Sequence, residues 1–339
     1  MLINFNVTGD LASLLLSYLD ASESSIEDNS EIQDLRYQLS QYSANSRMPF
    51  TDWWNALSVI ARVYQKPYIG LEVGTYIQPN HCGVLGYLSL SCEYLAEALQ
   101  RFERFQRLLY EGNEASTQIE GDWVTFSWPF DYGYSTRESD EVLISSLANY
   151  LSMLVGVETL KPVKVGFVHP KPSDVIPYFQ LLGCEVEFDC KKTYISFPIS
   201  ILTLKVEKAD PVLKALLDQQ AHALLDVLPS GDNFEQQFYK SVLRAMQDGK
   251  PSMEEVASYL NISARTLHRR LEDRGLVFKG VLQKTRQQLG QQYLKEGRLT
   301  LPEIALLLGY SEQSAFSRAF KQWTGISPLR FQKNLVLNH

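Results

Sequence analysis

The chain has little of what disulfide, metal or membrane chemistry needs. Its 339 residues hold four cysteines (Cys82, Cys92, Cys184, Cys190) with no CxxC pair and no regular spacing. A chain of this size does not depend on disulfides, so reduced thiols in a cytoplasmic protein are the simpler reading. His81 beside Cys82, with Cys92 nearby, is the one place for a soft metal, but a single His-Cys dipeptide lacks a ligand pattern and ordinary buried thiols are preferred. Apolar runs such as "LASLLLSYL" fall far short of the roughly 20 residues of a membrane helix. No basic segment followed by an apolar one marks a leader, so no membrane partner is expected. Catalytic chemistry is equally thin. His169 lies in "VHPKPSD" near Ser173 and Asp174, yet no nucleophile elbow or oxyanion donor accompanies it. No enzyme activity and no cofactor are expected.

What is present is an ordinary globular composition, 45% hydrophobic and 21% charged, with enough length for two domains. The net charge of −7 is unevenly spread: Ser230 to the end carries 16 Lys/Arg against 10 Asp/Glu, and the rest carries 16 against 29. Only the basic tail therefore suits a polyanion. The Pro-Ser-Gly-Asp cluster of "LPSGDN" sets the boundary. We expect a first domain over 1–228, a linker over 229–233 and a second domain over 234–339. Asn233 is the expected N-cap of the tail's first helix and Gly249 its stop.

The first domain reads as α+β. Helices are expected at about 9–20, 31–44 and 50–65, then a strand at "VLGYLSL" (84–90) and a long amphipathic helix "CEYLAEALQRFERFQRLLYEG". "STQIEGDWVTFSW" alternates as a hairpin turning at Glu120-Gly121-Asp122. A helix at about 137–154 and the strand "VKVGFVH" complete a βαββαβ order within a mixed sheet. A short helix, the hairpin "CEVEFDCKKTYISF" and the helix "ADPVLKALLDQQAHALLDVL" follow.

The tail repeats itself. "SMEEVASYLNISARTLHRRL" opens with the capping-box pair Ser252 and Glu255, and "TLPEIALLLGYSEQSAFSRAF" with Thr300 and Glu303, Pro302 standing in its first turn. Glu255, Ala257 and Leu260 match Glu303, Ala305 and Leu308 at an offset of 48; Leu267, Arg269 and Leu271 match Phe316, Arg318 and Phe320 at 49. One residue is inserted in the second turn. Both copies read as helix-turn-helix motifs, over about 252–273 and 300–324, in an all-α domain. The small Ala257 and Ala305 permit close helix approach, and the i,i+4 pairs Leu267/Leu271 and Phe316/Phe320 anchor each second helix. Arg265, His268 and Arg269 then face outward from the first motif, and Gln313, Ser314, Ser317 and Arg318 from the second. Arg suits guanine O6/N7, Gln adenine N6/N7, and Ser either base. A lone Arg of this kind is usually a solvated charge; a paired constellation favours double-stranded DNA. Phe278 to Lys295 reads as one connecting helix of roughly 27 Å, against about 34 Å between successive major-groove faces. Gly290 within it is best explained by close helix packing.

Residues 234–332 resemble the DNA-binding domain of the AraC/XylS family of bacterial transcription regulators, through "VASYLNISARTLHRRL" and "IALLLGYSEQSAFSRAFKQWTGISPLRF". The resemblance implies seven helices bearing two DNA-reading units; Gln332 departs from the usual basic residue after the aromatic, here Phe331. Through "GVLGYLSLSCEYLAEALQRFERFQRLL" and "VKVGFVHPKP", the first domain is similar to the arabinose-binding-type sensor of ornithine-utilisation and virulence regulators. That name does not establish a sugar. The implied function is sequence-specific regulation of transcription, with a small-molecule effector, a homodimer and RNA polymerase as candidate partners. An interaction module in place of an effector sensor is the alternative, and an enzyme fused to a DNA-binding tail a distant third.

For the effector, two sequence features offer themselves. Arg101, Arg104 and Arg107 recur every three residues and could hold an anion, although Glu97 and Glu103 beside them favour a solvated mixed-charge face. Trp53, Trp54, Tyr64 and Tyr68 could line an apolar site, although aromatics at helical spacing are more often plain core.

Overall fold

The computed structural model describes the chain apart from residues 1, 3–4, 23–28, 45, 67, 229–232, 298 and 338–339, and apart from the side chains of 233, 235–236, 247, 292, 295–296 and 334–337. Residues 229–232 of the expected linker (229–233) and the expected cap by the Asn233 side chain lie outside the described residues. The chain forms two compact units, one built from Leu2–Phe130 and Tyr134–Ser230, the other holding Gly231–His339.

In the first unit a short ladder pairs β1 (Asn6–Thr8) with β2 (Arg47–Pro49), Val7 opposite Met48. Helices α1 (Asp10–Ala21), α2 (Ser30–Ser40) and α3 (Phe50–Tyr64) follow the expected order, and α4 (Ile69–Gly74) is an addition to it. Asn29 caps α2, its Oδ1 accepting from the N–H groups of Glu31 and Ile32.

The expected strand at 84–90 is instead helix α5 (Gly83–Leu90). The apolar run is too short and too uniform for periodicity to separate strand from helix. The helix wins because Leu85, Gly86, Leu88 and Ser89 are buried at helical spacing, and the Ser89 hydroxyl donates back to the Leu85 carbonyl at 2.8 Å. Helix α6 (Leu95–Phe105) is shorter than expected and ends in a 3-10 turn at Gln106–Leu108.

The hairpin does form, β3 (Ser116–Glu120) and β4 (Trp123–Trp128) turning at Gly121-Asp122, and α7 (Arg137–Leu154) comes next. Then come β5 (Lys164–Gly166), α8 (Ile176–Leu182), β6 (Glu185–Glu187), β7 (Thr193–Pro198) and α9 (Pro211–Val227). The sheet order is β3-β4-β7-β5-β6, with β5 and β6 parallel and the other pairs antiparallel. The sheet is mixed, as expected, but the βαββαβ order is not: its first strand is α5. Nor do β6 and β7 form a hairpin, because β5 lies between them. Val124, Phe126 and Trp128 of β4 face Phe197, Ile195 and Thr193 of β7 in register, all six buried. This shared face roots the sheet in the core.

Two glycines fix the closest helix contact. A Cβ on Gly70 would lie 2.1 Å from the Glu138 carbonyl oxygen, and one on Gly74 2.5 Å from the Ser145 Cβ. The i,i+4 glycines of α4 thus let α7 pack against its backbone. The buried Glu141 carboxyl group of α7 accepts from the Gly70 N–H at 3.2 Å and from the Tyr178 hydroxyl of α8.

The second unit is all-α: α10 (Asn233–Gln247), α11 (Met253–Tyr259), α12 (Ala264–Glu272), α13 (Phe278–Glu296), α14 (Leu301–Leu307), α15 (Gln313–Thr324) and α16 (Pro328–Leu337). Phe238, Val242, Val256, Leu267 and Leu271 are buried around the first helix pair, and Leu289, Ile304, Leu308, Phe316 and Phe320 around the second. Rings join the ends of the unit, Phe238 to Phe278 at 6.2 Å and Phe320 to Phe331 at 5.3 Å.

Candidate nucleic-acid interface

The repeat extends to the backbone hydrogen bonds. In the first motif Ile262 N–H donates to the Ala257 carbonyl (3.0 Å) and Asn261 N–H to Ser258 (3.0 Å). In the second, Tyr310 N–H donates to Ala305 (2.9 Å) and Gly309 N–H to Leu306 (2.9 Å), again at an offset of 48. Each turn needs a residue at positive φ: Gly309 at +70° supplies it freely, and Asn261 at +52° is one of the few residue types that tolerates it. The inserted residue falls after this turn. Ser263 caps α12, its Oγ accepting from the Thr266 N–H at 3.1 Å, and Glu312 stands at the equivalent cap of α15, 49 residues on.

The two capping boxes differ. At Thr300 the box is complete, and Glu303 Oε2 accepts from the Thr300 N–H at 2.7 Å. At Ser252 only half forms: its Oγ accepts from the Glu255 N–H at 3.1 Å, while its own N–H donates to the Lys250 carbonyl.

Both second helices are pinned from below. Leu267, Leu271, Phe316 and Phe320 are at most 2% exposed, with Ala257 and Ala305 equally buried at the helix crossings. Arg265, His268 and Arg269 emerge exposed from α12, and Gln313, Ser314 and Arg318 from α15, with Ser317 half-buried beside them. Two carboxylates missed in the sequence restrain this face. Glu272 Oε2 lies 3.2 Å from His268 Nδ1, and Glu312 Oε2 accepts from the Ser314 hydroxyl at 2.9 Å. Arg270 and Arg274 instead lie over the Phe234 ring at 5.2 and 4.9 Å, which ties α12 to α10.

Arg286, on the connecting helix α13, was also missed. Its guanidinium donates to the carbonyls of Leu308 and Gly309, both at 2.9 Å, and lies 4.3 Å from the Tyr310 ring centre. It thereby satisfies the carbonyls freed where α14 ends and the reading turn begins. Burial lowers its pKa and the Tyr310 hydroxyl opposes that shift; guanidinium stays protonated throughout. One turn later, a Cβ on Gly290 would meet Phe316 at 3.2 Å and Leu308 at 3.4 Å. Close helix packing explains this glycine, as expected.

The first unit holds a half-open cavity of about 180 Å³ among α1, α3, α5, α6, α7 and the sheet. Trp53 lines it, its indole N–H donating to Ser139 Oγ at 3.0 Å. Trp54, Tyr64 and Tyr68 are not among the described lining residues; Trp54 donates to Ser135 Oγ, and the Tyr64 ring packs on Tyr18. The arginine series does not converge on a site. Arg101 holds Asp218 of α9 through Nη2 at 2.8 Å and Nε at 3.1 Å, and the hydrogen bond to Asp218 raises its pKa. Arg104 lies over the Phe105 ring, and Arg107, past the end of α6, stands 4.0 Å from Glu114. Lys214 to Glu97 at 2.8 Å repeats the α6–α9 link.

His169 bonds not to Ser173 or Asp174 but to Asp140 Oδ2 at 3.1 Å, which also accepts from the Thr193 hydroxyl at 2.8 Å. Both His81 nitrogens are engaged, Nδ1 accepting from the Gln78 N–H and Nε2 beside Ser17 Oγ, and burial pushes the Cys82 thiol up to about 12. Among the described residues no three His, Cys, Asp or Glu side chains gather as a metal site, and no helix is long and apolar enough to cross a membrane.

Two helix-turn-helix motifs in one basic all-α unit, carried behind an α+β unit, define a DNA-binding regulator of transcription. Residues 36–206 match the family described as the arabinose-binding domain of AraC transcription regulator, N-terminal, and residues 256–334 match a helix-turn-helix domain. The chain is 31% identical over 296 residues to the ornithine utilization regulator of Pseudomonas aeruginosa, covering 86% of each chain. It is 27% identical over 302 residues, with 86% of each covered, to the transcriptional regulator VirS of Mycobacterium tuberculosis. A crystal structure of the transcriptional regulator CdpR from Pseudomonas aeruginosa aligns at 22% identity and a TM-score of 0.39, over 83% of this chain and 96% of that one. The chain belongs to the AraC family of transcription regulators.

Proposed function

We propose that this regulator reads a bipartite DNA site through Arg265, His268 and Arg269 of α12 and Gln313, Ser314, Ser317 and Arg318 of α15, and that its first unit binds a small-molecule effector. The observation that carries the DNA reading is the equivalence of the two motifs. Each second helix is anchored by an i,i+4 pair of fully covered side chains and leaves the side chains at matched positions, Arg269 and Arg318, exposed to a ligand. The cavity of about 180 Å³ supports the effector reading. A homodimer through the first unit is supported by α9, where Val212, Leu216 and Val227 are exposed along a helix with one fully buried side chain, Ala221. Two tails so joined would gain effective concentration on paired sites.

Arg269→Ala and Arg318→Ala test the site. Each is expected to weaken operator binding by about 1–3 kcal/mol, with a smaller loss on scrambled DNA. Equal losses on both DNAs would make them phosphate contacts, and no loss would remove them from the interface. Sedimentation with and without operator tests the dimer; a strict monomer binding 1:1 refutes it.

A further inference from the structure

The chemistry of the cavity wall says what kind of molecule fits. We propose that the cavity of the first unit binds a compact, uncharged and mainly apolar molecule carrying one hydroxyl, of the size of a simple aromatic alcohol. This deepens the effector reading above and rests on it.

Size comes first. An apolar protein cavity of about 150 Å³ takes benzene, so about 180 Å³ seats one ring with a short substituent. The walls are Trp53, Leu85, Leu99, Phe102, Trp128 and Leu147, from four helices and the sheet. Such a surface gives an apolar ligand its binding energy through desolvation. It gives a sugar little, since each buried hydroxyl left without a partner costs about 1–3 kcal/mol.

Charge decides the next point. No Lys, Arg or His is among the described lining residues. The basic groups that touch its lining residues are committed to them: Arg47 to Glu111 at 2.9 Å and His169 to Asp140 at 3.1 Å. A carboxylate or phosphate would enter without a counter-ion, which is strongly unfavourable. The two acids that line the cavity do not call for a cation. Glu111 is neutralised by Arg47, and Asp140 already accepts from Thr193 and pairs with His169. Cys82, also in the wall, adds no charge because burial keeps its thiol protonated.

One polar group remains unanswered. Ser146 lines the cavity, and its Oγ is buried without a hydrogen-bond partner. Buried hydroxyls almost always find a partner. Asp140 adds capacity, because both of its side-chain hydrogen bonds fall on Oδ2. Rotation of the Ser146 side chain toward the cavity lets a ligand hydroxyl, both donor and acceptor, complete it without bringing a charge.

The test is calorimetric titration of the full chain with four probes of matched size: benzyl alcohol, benzylamine, benzoate and L-arabinose. Benzyl alcohol is expected to bind saturably at one site per chain, at least tenfold more tightly than the other three. Ser146→Ala, which removes an unpaired hydroxyl and so keeps the fold, is expected to weaken the alcohol about 2- to 10-fold, the equivalent of one net hydrogen bond. Ser146→Phe is expected to abolish binding by filling the cavity, with retained affinity for non-specific DNA reporting an intact tail. Preferential binding of benzoate, benzylamine or arabinose overturns the ligand class and leaves the effector reading standing. Absence of binding by all four probes also overturns the class. If Ser146→Phe in addition leaves target-gene expression unchanged, the effector reading falls with it.

Discussion

Replacing Glu141 with Gln should make the first unit more stable at alkaline pH and change little at acid pH. Glu141 is fully buried between α4, α7 and α8, and burial pushes its carboxyl up to about 8 from an ordinary 4.5, with the nearby Glu138 adding to the shift. The hydrogen bonds from Tyr178 and Gly70 oppose it without prevailing. A carboxyl whose folded pKa is raised holds its proton more tightly in the folded state. Folding therefore takes up a proton between about pH 4.5 and 8, and stability falls as pH rises through that window. Three to four pH units at 1.36 kcal/mol each make the full loss on the order of 5 kcal/mol, with about 3 already lost by pH 7. An amide at this position does not titrate, yet keeps a carbonyl for Tyr178 or Gly70. The assay is urea unfolding of wild type and Glu141→Gln from pH 5 to 9, following the first unit's transition. Subtracting one series from the other cancels every other titrating group. The difference should grow in favour of Gln up to about pH 8 and then level off. Parallel curves across the range would refute the assignment.

Gly70→Ala places a Cβ against the Glu138 carbonyl and should destabilise the first unit by about 1–3 kcal/mol; a melt in which only that unit's transition shifts would check it. Arg286→Ala removes the two bonds to Leu308 and Gly309 and should cost about 1.5–3 kcal/mol or more. Operator affinity should fall with it, although Arg286 is not assigned to DNA, and Arg286→Lys, which cannot fork to both carbonyls, should rescue only in part. Glu312→Gln frees the Ser314 hydroxyl from a carboxylate and should raise affinity for all DNA sequences while flattening discrimination; unchanged discrimination in a binding assay would show that Glu312 takes no part in recognition.

The tail was legible because its signals are local. Capping residues and helical spacing are visible within twenty-residue windows, a repeat at 48 and 49 residues doubles them, and the side chains they predict as anchors are buried. The first unit was legible only in parts. Its helices and the Gly121-Asp122 turn follow from periodicity and turn chemistry, but α5 is an apolar run that any buried element would accept. The order β7-β5-β6 joins strands by pairings that no neighbouring residues announce. Arg101 read as part of a solvated mixed-charge face, with an anion site as the alternative, because its partner, Asp218, lies 117 residues away. Gly70 and Gly74 carry no signal until α7 is placed beside them. On α12 and α15 the outward residues could be read from the helix period, whereas the carboxylates that restrain them, Glu272 and Glu312, needed coordinates.

Arg286 and Gly290 share one face of α13, four residues apart. The first binds the carbonyls at the end of α14, and the second lies beneath Phe316 of α15. The connecting helix is therefore the floor on which the second reader stands. Anyone exchanging DNA specificities between relatives should accordingly cut before Phe278 and not at Thr300. A transplanted α14–α15 pair would arrive without the arginine that ends its first helix and without the notch that seats its second. The heritable unit of recognition in this half of the tail is three helices long.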